Sequence, residues 1–280
     1  ITGTCRGNGA LQGLTSKRGV RMSYDRAEVI RSYTENAERE NQAEKGRSLR
    51  TEIPREYIRR YIRPADRVLD AGGGTGANAI MMAGRCGSVT LLDITPQMLD
   101  LARRNIHDAG LQDRIEVVEG DICDLEAFED GCFSFVVCVG DALSYVLDRR
   151  AQAMRELVRV ARRGATLILG TDSKYGFLRL RLAQGKLEEA WEILRTSETY
   201  CGMGPRSHLY TVDEMRSLLE ENGCELVEVA SAPSLSDTID VAPYVESEQW
   251  EALVELELAI GSTPELLGTG LHLLFVARKE

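Results

Sequence analysis

Between residues 67 and 170 short apolar runs alternate with stretches of helical period. Residues 67–70, 88–92, 115–119, 133–139 and 165–170 are aliphatic or aromatic runs bounded by Gly and Asp, which predicts buried strands. Residues 77–84, 96–109 and 149–162 place apolar positions three and four apart, which predicts helices packed by one face. Strands alternating with helices require a parallel sheet with right-handed crossovers, and ligands then sit at the strands' carboxyl ends. After Thr171 the alternation breaks. Helical stretches at 177–183 and 187–196 stand where a single core helix suffices, followed by a helix at 212–221, a strand at 225–230, an acidic helix at 247–260 and a closing strand at 271–277. Residues 173–210 and 231–268 are therefore expected to be insertions after the fifth and sixth strands that form a substrate cap. Upstream, residues 23–63 read as helices, with Pro54 near a helix start and Pro64 closing the segment, and residues 64–280 form the main domain. Residues 1–22, rich in glycine and without period, read as a flexible leader.

One junction carries most of the chemical information. Val68-Leu69-Asp70-Ala71-Gly72-Gly73-Gly74-Thr75-Gly76 is an apolar strand running through an acid into four glycines. Gly72, Gly73, Gly74 and Gly76 remove the side chains that hold a ligand off the main chain, and the helix that follows aims its first N–H groups into the loop. This is a nucleotide-binding βα unit. Gly72, Gly74 and Ala77 also satisfy the dinucleotide pattern G-x-G-x-x-(G/A), and Asp93, at the end of the next strand, stands where an acid meets ribose hydroxyls. Asp70 suits a ligand bearing an ammonium group, and Asp121, ending the third strand, is placed to accept from an adenine amino group. Read as caps, Asp93 and Asp121 would each start a helix; three acids at successive strand ends favour a ligand site.

Together and in this order these residues resemble the class I S-adenosylmethionine-dependent methyltransferases, closely over residues 67–170. The resemblance implies an α/β fold, a doubly wound, seven-stranded, mostly parallel Rossmann-like sheet with N-terminal helices, whose last strand runs antiparallel between the fifth and sixth. It implies S-adenosyl-L-methionine as cofactor. By position Asp70 and Gly72, Gly73, Gly74 and Gly76 would hold its methionine part, Asp93 with Ile94 and Met98 the ribose side, Asp121 with Ile122 the adenine, and Val139 with Gly140 the mouth of the fourth strand. Tyr24 and Tyr33 would close over the methionine end. A nicotinamide-dinucleotide oxidoreductase and a non-catalytic binder of the same cofactor remain open at this point, although no Tyr-x-x-x-Lys pair occurs.

Composition narrows the partners. The chain has 280 residues, 43% of them hydrophobic, enough for one large domain. No apolar run approaches the ~20 residues that cross a bilayer, so no membrane partner is expected. Seven scattered cysteines without a C-x-x-C pair suit reduced thiols in a cytoplasm. His107, His208 and His272 lie far apart, with no metal-ligand spacing, so no metal is expected. The net charge of −10 repels polyanions, and the arginines of residues 47–67 fit a solvated helix face. A small-molecule substrate, with no nucleic acid, is the resulting expectation; the oligomeric state is not legible.

Methyl transfer from a sulfonium needs donor and acceptor held in line, and a neutral oxygen or ammonium acceptor also needs a base. Asp141 follows the fourth strand and Tyr175 the fifth, while His208 stands where an insertion returns to the sheet. These three are the expected catalytic residues, with Tyr145, Asp172 and Tyr210 nearby. Thr211 reads as a helix N-cap with Glu214 completing a capping box.

Overall fold

The computed structural model describes residues 23–200, 202 and 204–280. The leader assigned to residues 1–22, together with Cys5 and Cys201, lies outside the described residues. Two helices come first, α1 (Arg26–Lys45) and α2 (Leu49–Tyr61). Asp25 caps α1 by accepting from the N–H groups of Ala27 and Glu28, and Ser48 caps α2 through the N–H of Arg50. The buried Ala37 of α1 packs with Met98 and Leu101 of α4. Pro54 lies inside α2 rather than at its start.

The alternating unit follows as β1 (Arg67–Ala71), α3 (Ala77–Ala83), β2 (Ser88–Asp93), α4 (Pro96–Asp108), β3 (Ile115–Glu119), β4 (Phe133–Cys138), the short α5 (Ala142–Tyr145), α6 (Arg150–Val160) and β5 (Ala161–Asp172). β5 starts directly after α6, earlier than the apolar pattern suggests, because Ala161 pairs with Phe133 ahead of a register shift. Beyond it come α7 (Lys174–Ala183), α8 (Leu187–Thr196), the hairpin β6 (Glu198–Tyr200) and β7 (Arg206–His208), α9 (Val212–Glu220), β8 (Cys224–Ser231), α10 (Ala242–Val245), α11 (Trp250–Ile260) and β9 (His272–Lys279). No period announces β6 and β7, which are three residues each.

The seven-stranded sheet has the order β3-β2-β1-β4-β5-β9-β8. β1 to β5 are parallel, and β9 runs antiparallel to both β5 and β8. Its central strands are buried on both sides, as helices on both faces require. On one face Leu69, Val136 and Leu167 pack with Leu157 of α6 and Leu219 of α9. On the other, Val68, Leu91 and Val137 pack with Ile58 of α2, Leu99 of α4 and Trp250 of α11. Successive residues of one strand thus feed different cores, the period of two that doubly wound sheets demand. Residues 174–209 make a satellite cluster of Phe177, Ile193 and Leu209. Among the described residues no helix is long and apolar enough to cross a membrane.

Candidate active site

A cavity of about 370 Å³ opens at the carboxyl ends of β1, β2, β3 and β4, within the size range of small-molecule sites. Gly72, Gly73, Gly74, Asp93, Ile94, Met98, Asp121, Ile122, Val139, Gly140 and Asp141 line it, and Tyr24, Tyr33, Glu44 and Arg50 from the N-terminal segment cover it. Gly72 and Gly74 have φ of +74° and +55°, and a Cβ on Gly72 would stand 2.7 Å from the Cβ of Ala142. Only glycine lets this loop pass so close to the strand mouth.

Two of the three strand-end acids, Asp93 and Asp121, accept from backbone N–H groups. Asp93 accepts from the N–H groups of Gly74 (3.0 Å) and Thr95 (2.8 Å), tying β2 to the glycine loop. The N-cap of α4 is Thr95, so Asp93 is free of that duty. Asp121 accepts from Cys123 N–H and from the Tyr24 hydroxyl (2.9 Å). Tyr24, expected at the methionine end, bonds the third acid and lines the cavity. Tyr33 meets Tyr145 edge to face, with centroids 5.8 Å apart. Asp70 lies beneath the loop without lining the cavity, as does Gly76, and its Oδ2 is buried with no hydrogen-bond partner. Burial, with Glu44 and Asp93 nearby, pushes the Asp70 carboxyl up to about 7. Glu44, reaching from α1 to the Thr75 hydroxyl, is likewise raised by burial. Sequence reading missed Glu44, because nothing in α1 reveals which of its acids faces the loop.

A second group of side chains converges from three neighbouring strands. Asp141 follows β4, Asp172 ends β5, and His272 begins β9 directly opposite Asp172 in the register. Ligating atoms of the three lie within 4.8 Å of one another. His272 Nδ1 is 3.2 Å from Asp141 Oδ1 and 3.5 Å from Asp172 Oδ1. The Ser207 hydroxyl donates to Asp172, and the Arg50 guanidinium stands 3.7 Å from Asp141. Asp141 has φ +70°, an uncommon conformation for a residue with a Cβ. Burial opposes charge on Asp141, but His272 and Arg50 outweigh it and hold the carboxyl below its ordinary range. Burial and the Asp141 charge raise Asp172. Spacing along the chain did not bring His272 into view.

Two expected catalytic residues lie elsewhere. His208 is buried on β7, where its Nε2 sits 2.8 Å from a Glu214 oxygen and its ring stands edge-on to Tyr210. It does not line the cavity; the hairpin turns it into the packing around α9. Glu214 is consequently no partner in a reciprocal capping box, although Thr211 does cap α9. Tyr175 is 56% exposed and also outside the cavity, since α7 begins at Lys174 and carries it to the surface. Among the described residues of 173–210 none lines the cavity, and the 231–268 segment contributes Ala232.

Residues 68–164 match a family model described as a methyltransferase domain. The ubiquinone/menaquinone biosynthesis C-methyltransferase UbiE of Xylella fastidiosa (strain M23) is 38% identical over 108 residues, covering 37% of this chain and 41% of that relative. The chain thus spans about two fifths of the length of such relatives. The tRNA 5-carboxymethoxyuridine methyltransferase of Escherichia coli (strain K12) is 26% identical over 215 residues, covering 76% of this chain and 80% of that one. A methyltransferase solved in complex with the Trm112 methyltransferase activator of Haloferax volcanii superposes with a TM-score of 0.62 at 19% identity, covering 89% of this chain and 96% of the other. These findings correct the partner expectation. With a tRNA methyltransferase among the relatives, net negative charge does not exclude nucleic acid, and a small-molecule-only partner set does not stand. Overall charge is a poor guide because recognition depends on the local field at the site.

Proposed function

We propose that this chain, which belongs to the class I S-adenosylmethionine-dependent methyltransferases, binds S-adenosyl-L-methionine at its glycine loop and transfers the methyl group by in-line displacement to an acceptor entering beside Asp141 and His272. The donor set fits that molecule. Glu44 and Asp93 line the cavity around Asp70, whose carboxyl both of them raise, and this clustering is the single observation that carries the reading: crowded buried carboxylates favour a ligand cation beside them. When bound, the cofactor supplies an electrophilic methyl group on a positive sulfur. The residues of this chain do the rest. Glu44, with Asp70 behind the loop, draws the ammonium of the amino-acid end, Asp93 accepts from the ribose hydroxyls, and Asp121 with Ile122 reads the adenine. Tyr24 and Tyr33 exclude water. Fixing two reactants in line supplies ~7–11 kcal/mol of a barrier, so positioning rather than covalent chemistry is the chain's main contribution.

The test is calorimetric titration with S-adenosylmethionine and S-adenosylhomocysteine, followed by tritiated methyl transfer to bulk tRNA and to a panel of phenols, amines and thiols. Micromolar binding of both ligands and incorporation into one acceptor class is the expected result. A folded protein that binds neither ligand refutes the reading.

A further inference from the structure

The β4, β5 and β9 ends carry a group of side chains that donor binding does not use. We propose that His272 is the general base of methyl transfer, and that the acceptor atom is one that carries a proton at neutral pH, a hydroxyl or an ammonium rather than a thioether or a carboxylate. This rests on the donor-site reading above and adds the acceptor side to it.

His272 lines the cavity; Asp172 does not. Both carboxylates face Nδ1, so the neutral ring carries its proton on Nδ1 and a lone pair on Nε2. That arrangement, an acid fixing the tautomer and steadying the imidazolium that forms, is what a histidine base needs. Asp141 is the weaker candidate, because its charge is already shared between His272 and Arg50. Asp172 is committed to Ser207 and its strand neighbour. The Nδ1 contacts and the adjacent guanidinium also explain the cluster without a cation. The charged groups facing His272 are Arg50 from α2, Asp141 after β4, Asp172 of β5 and Asp237 from the β8–β9 connection. Burial depresses the imidazolium and Arg50 opposes it, but the carboxylates prevail and raise the histidine above its ordinary value.

The step balances. The acceptor's bond to hydrogen breaks and the proton passes to Nε2. The freed lone pair forms a bond to the donor methyl carbon, whose bond to sulfur breaks with the electron pair left on sulfur. The imidazolium then returns its proton to solvent.

The experiment uses the full chain, labelled with 15N in its imidazole rings, with and without S-adenosylhomocysteine. Its three histidines are assigned by His107→Gln, His208→Gln and His272→Gln. A neutral His272 protonated on Nδ1, with a midpoint above that of an ordinary histidine that Asp141→Asn and Asp172→Asn each lower, is expected. A neutral form protonated on Nε2, a midpoint that neither substitution moves, or selective broadening of His272 by manganese chloride would overturn the proposal. In the tritium assay His272→Gln should lose ~10²–10⁴-fold in rate while S-adenosylmethionine binds as before, and imidazole should restore part of the rate to His272→Ala. Wild-type transfer rates in His272→Gln would equally overturn it. Failure of both donor ligands to bind the folded, unmodified chain is a separate result, and defeats the donor-site reading instead.

Discussion

Asp93→Ala separates a loop fastener from a ligand contact. Asp93 is 9% exposed and spends both oxygens on backbone N–H groups, at 3.0 Å from Gly74 and 2.8 Å from Thr95. Hydrogen bonds to a charged group contribute roughly 1.5–3 kcal/mol each. The gross loss is therefore about 3–6 kcal/mol by that scale. Against it stands the cost of burying the carboxylate, visible as an Asp93 pKa raised by burial even though several N–H groups favour the ionised form. A net loss of about 2–4 kcal/mol in ligand-free stability follows from that balance. If Asp93 also takes the ribose hydroxyls, S-adenosylmethionine and S-adenosylhomocysteine should both bind ~30–300-fold more weakly, about 2–3.4 kcal/mol. Asp93→Asn keeps an acceptor for Thr95 but sets an amide donor against Gly74, so it should cost less stability and nearly as much affinity. Urea unfolding gives the first quantity and calorimetric titration the second. Stability reduced as expected, with both affinities within twofold of the parent chain, would refute the ribose assignment and leave Asp93 a fastener.

Three further outcomes are expected. Gly72→Ala places a Cβ 2.7 Å from that of Ala142 at φ +74°; left-handed strain of ~1–2 kcal/mol and a displaced loop should weaken donor binding at least ~10-fold, and unchanged affinity would show that no ligand lies against the loop. Asp70, pushed up to about 7 when folded against about 3.9 unfolded, keeps its proton in the fold after the unfolded chain has lost it. Ligand-free stability should therefore decline as pH rises between those two values and donor affinity should rise as Asp70 ionises, both dependences vanishing in Asp70→Asn; calorimetry and urea unfolding across pH decide. Glu257 is 1% exposed and accepts from the N–H groups of Ser234 (2.6 Å), Leu235 (3.3 Å) and Ser236 (2.8 Å). Glu257→Leu strands these donors and should cost ~3–5 kcal/mol in urea unfolding, with a loss under ~1 kcal/mol contradicting the reading.

The positions of the strand-end acids were legible because their determinants are local. Asp70, Asp93 and Asp121 each close an apolar run, and a parallel sheet delivers such positions to one edge whatever the connections do. Gly110 marks the exit of α4 with φ +68° for the same local reason. The acceptor side was not local, and sequence proximity to a strand end proved a poor substitute for place. His208 and Tyr175 both follow β5 in the chain, yet one is pinned by Glu214 under α9 and the other is carried outward by α7. The pairing of β6 with β7 decides the first, and three-residue strands leave no period to read.

His272 shows why a rule that works for five strands misses the seventh. In a parallel strand the residues at the carboxyl end reach the ligand edge, so site positions fall just after each apolar run. β9 enters the sheet antiparallel between β5 and β8, which reverses the rule: its first residue, not its last, arrives at that edge. His272 is that residue, and the register sets it across from Asp172, while its other partner, Asp141, is 131 positions away along the chain. The resemblance to a fold with an antiparallel last strand contained the signal. Taken literally, it points to the beginning of 271–277 as a site position, and the polar residue there is a histidine. Insertion of a reversed strand thus places a histidine between two strand-end carboxylates, where burial penalises charge that has no partner.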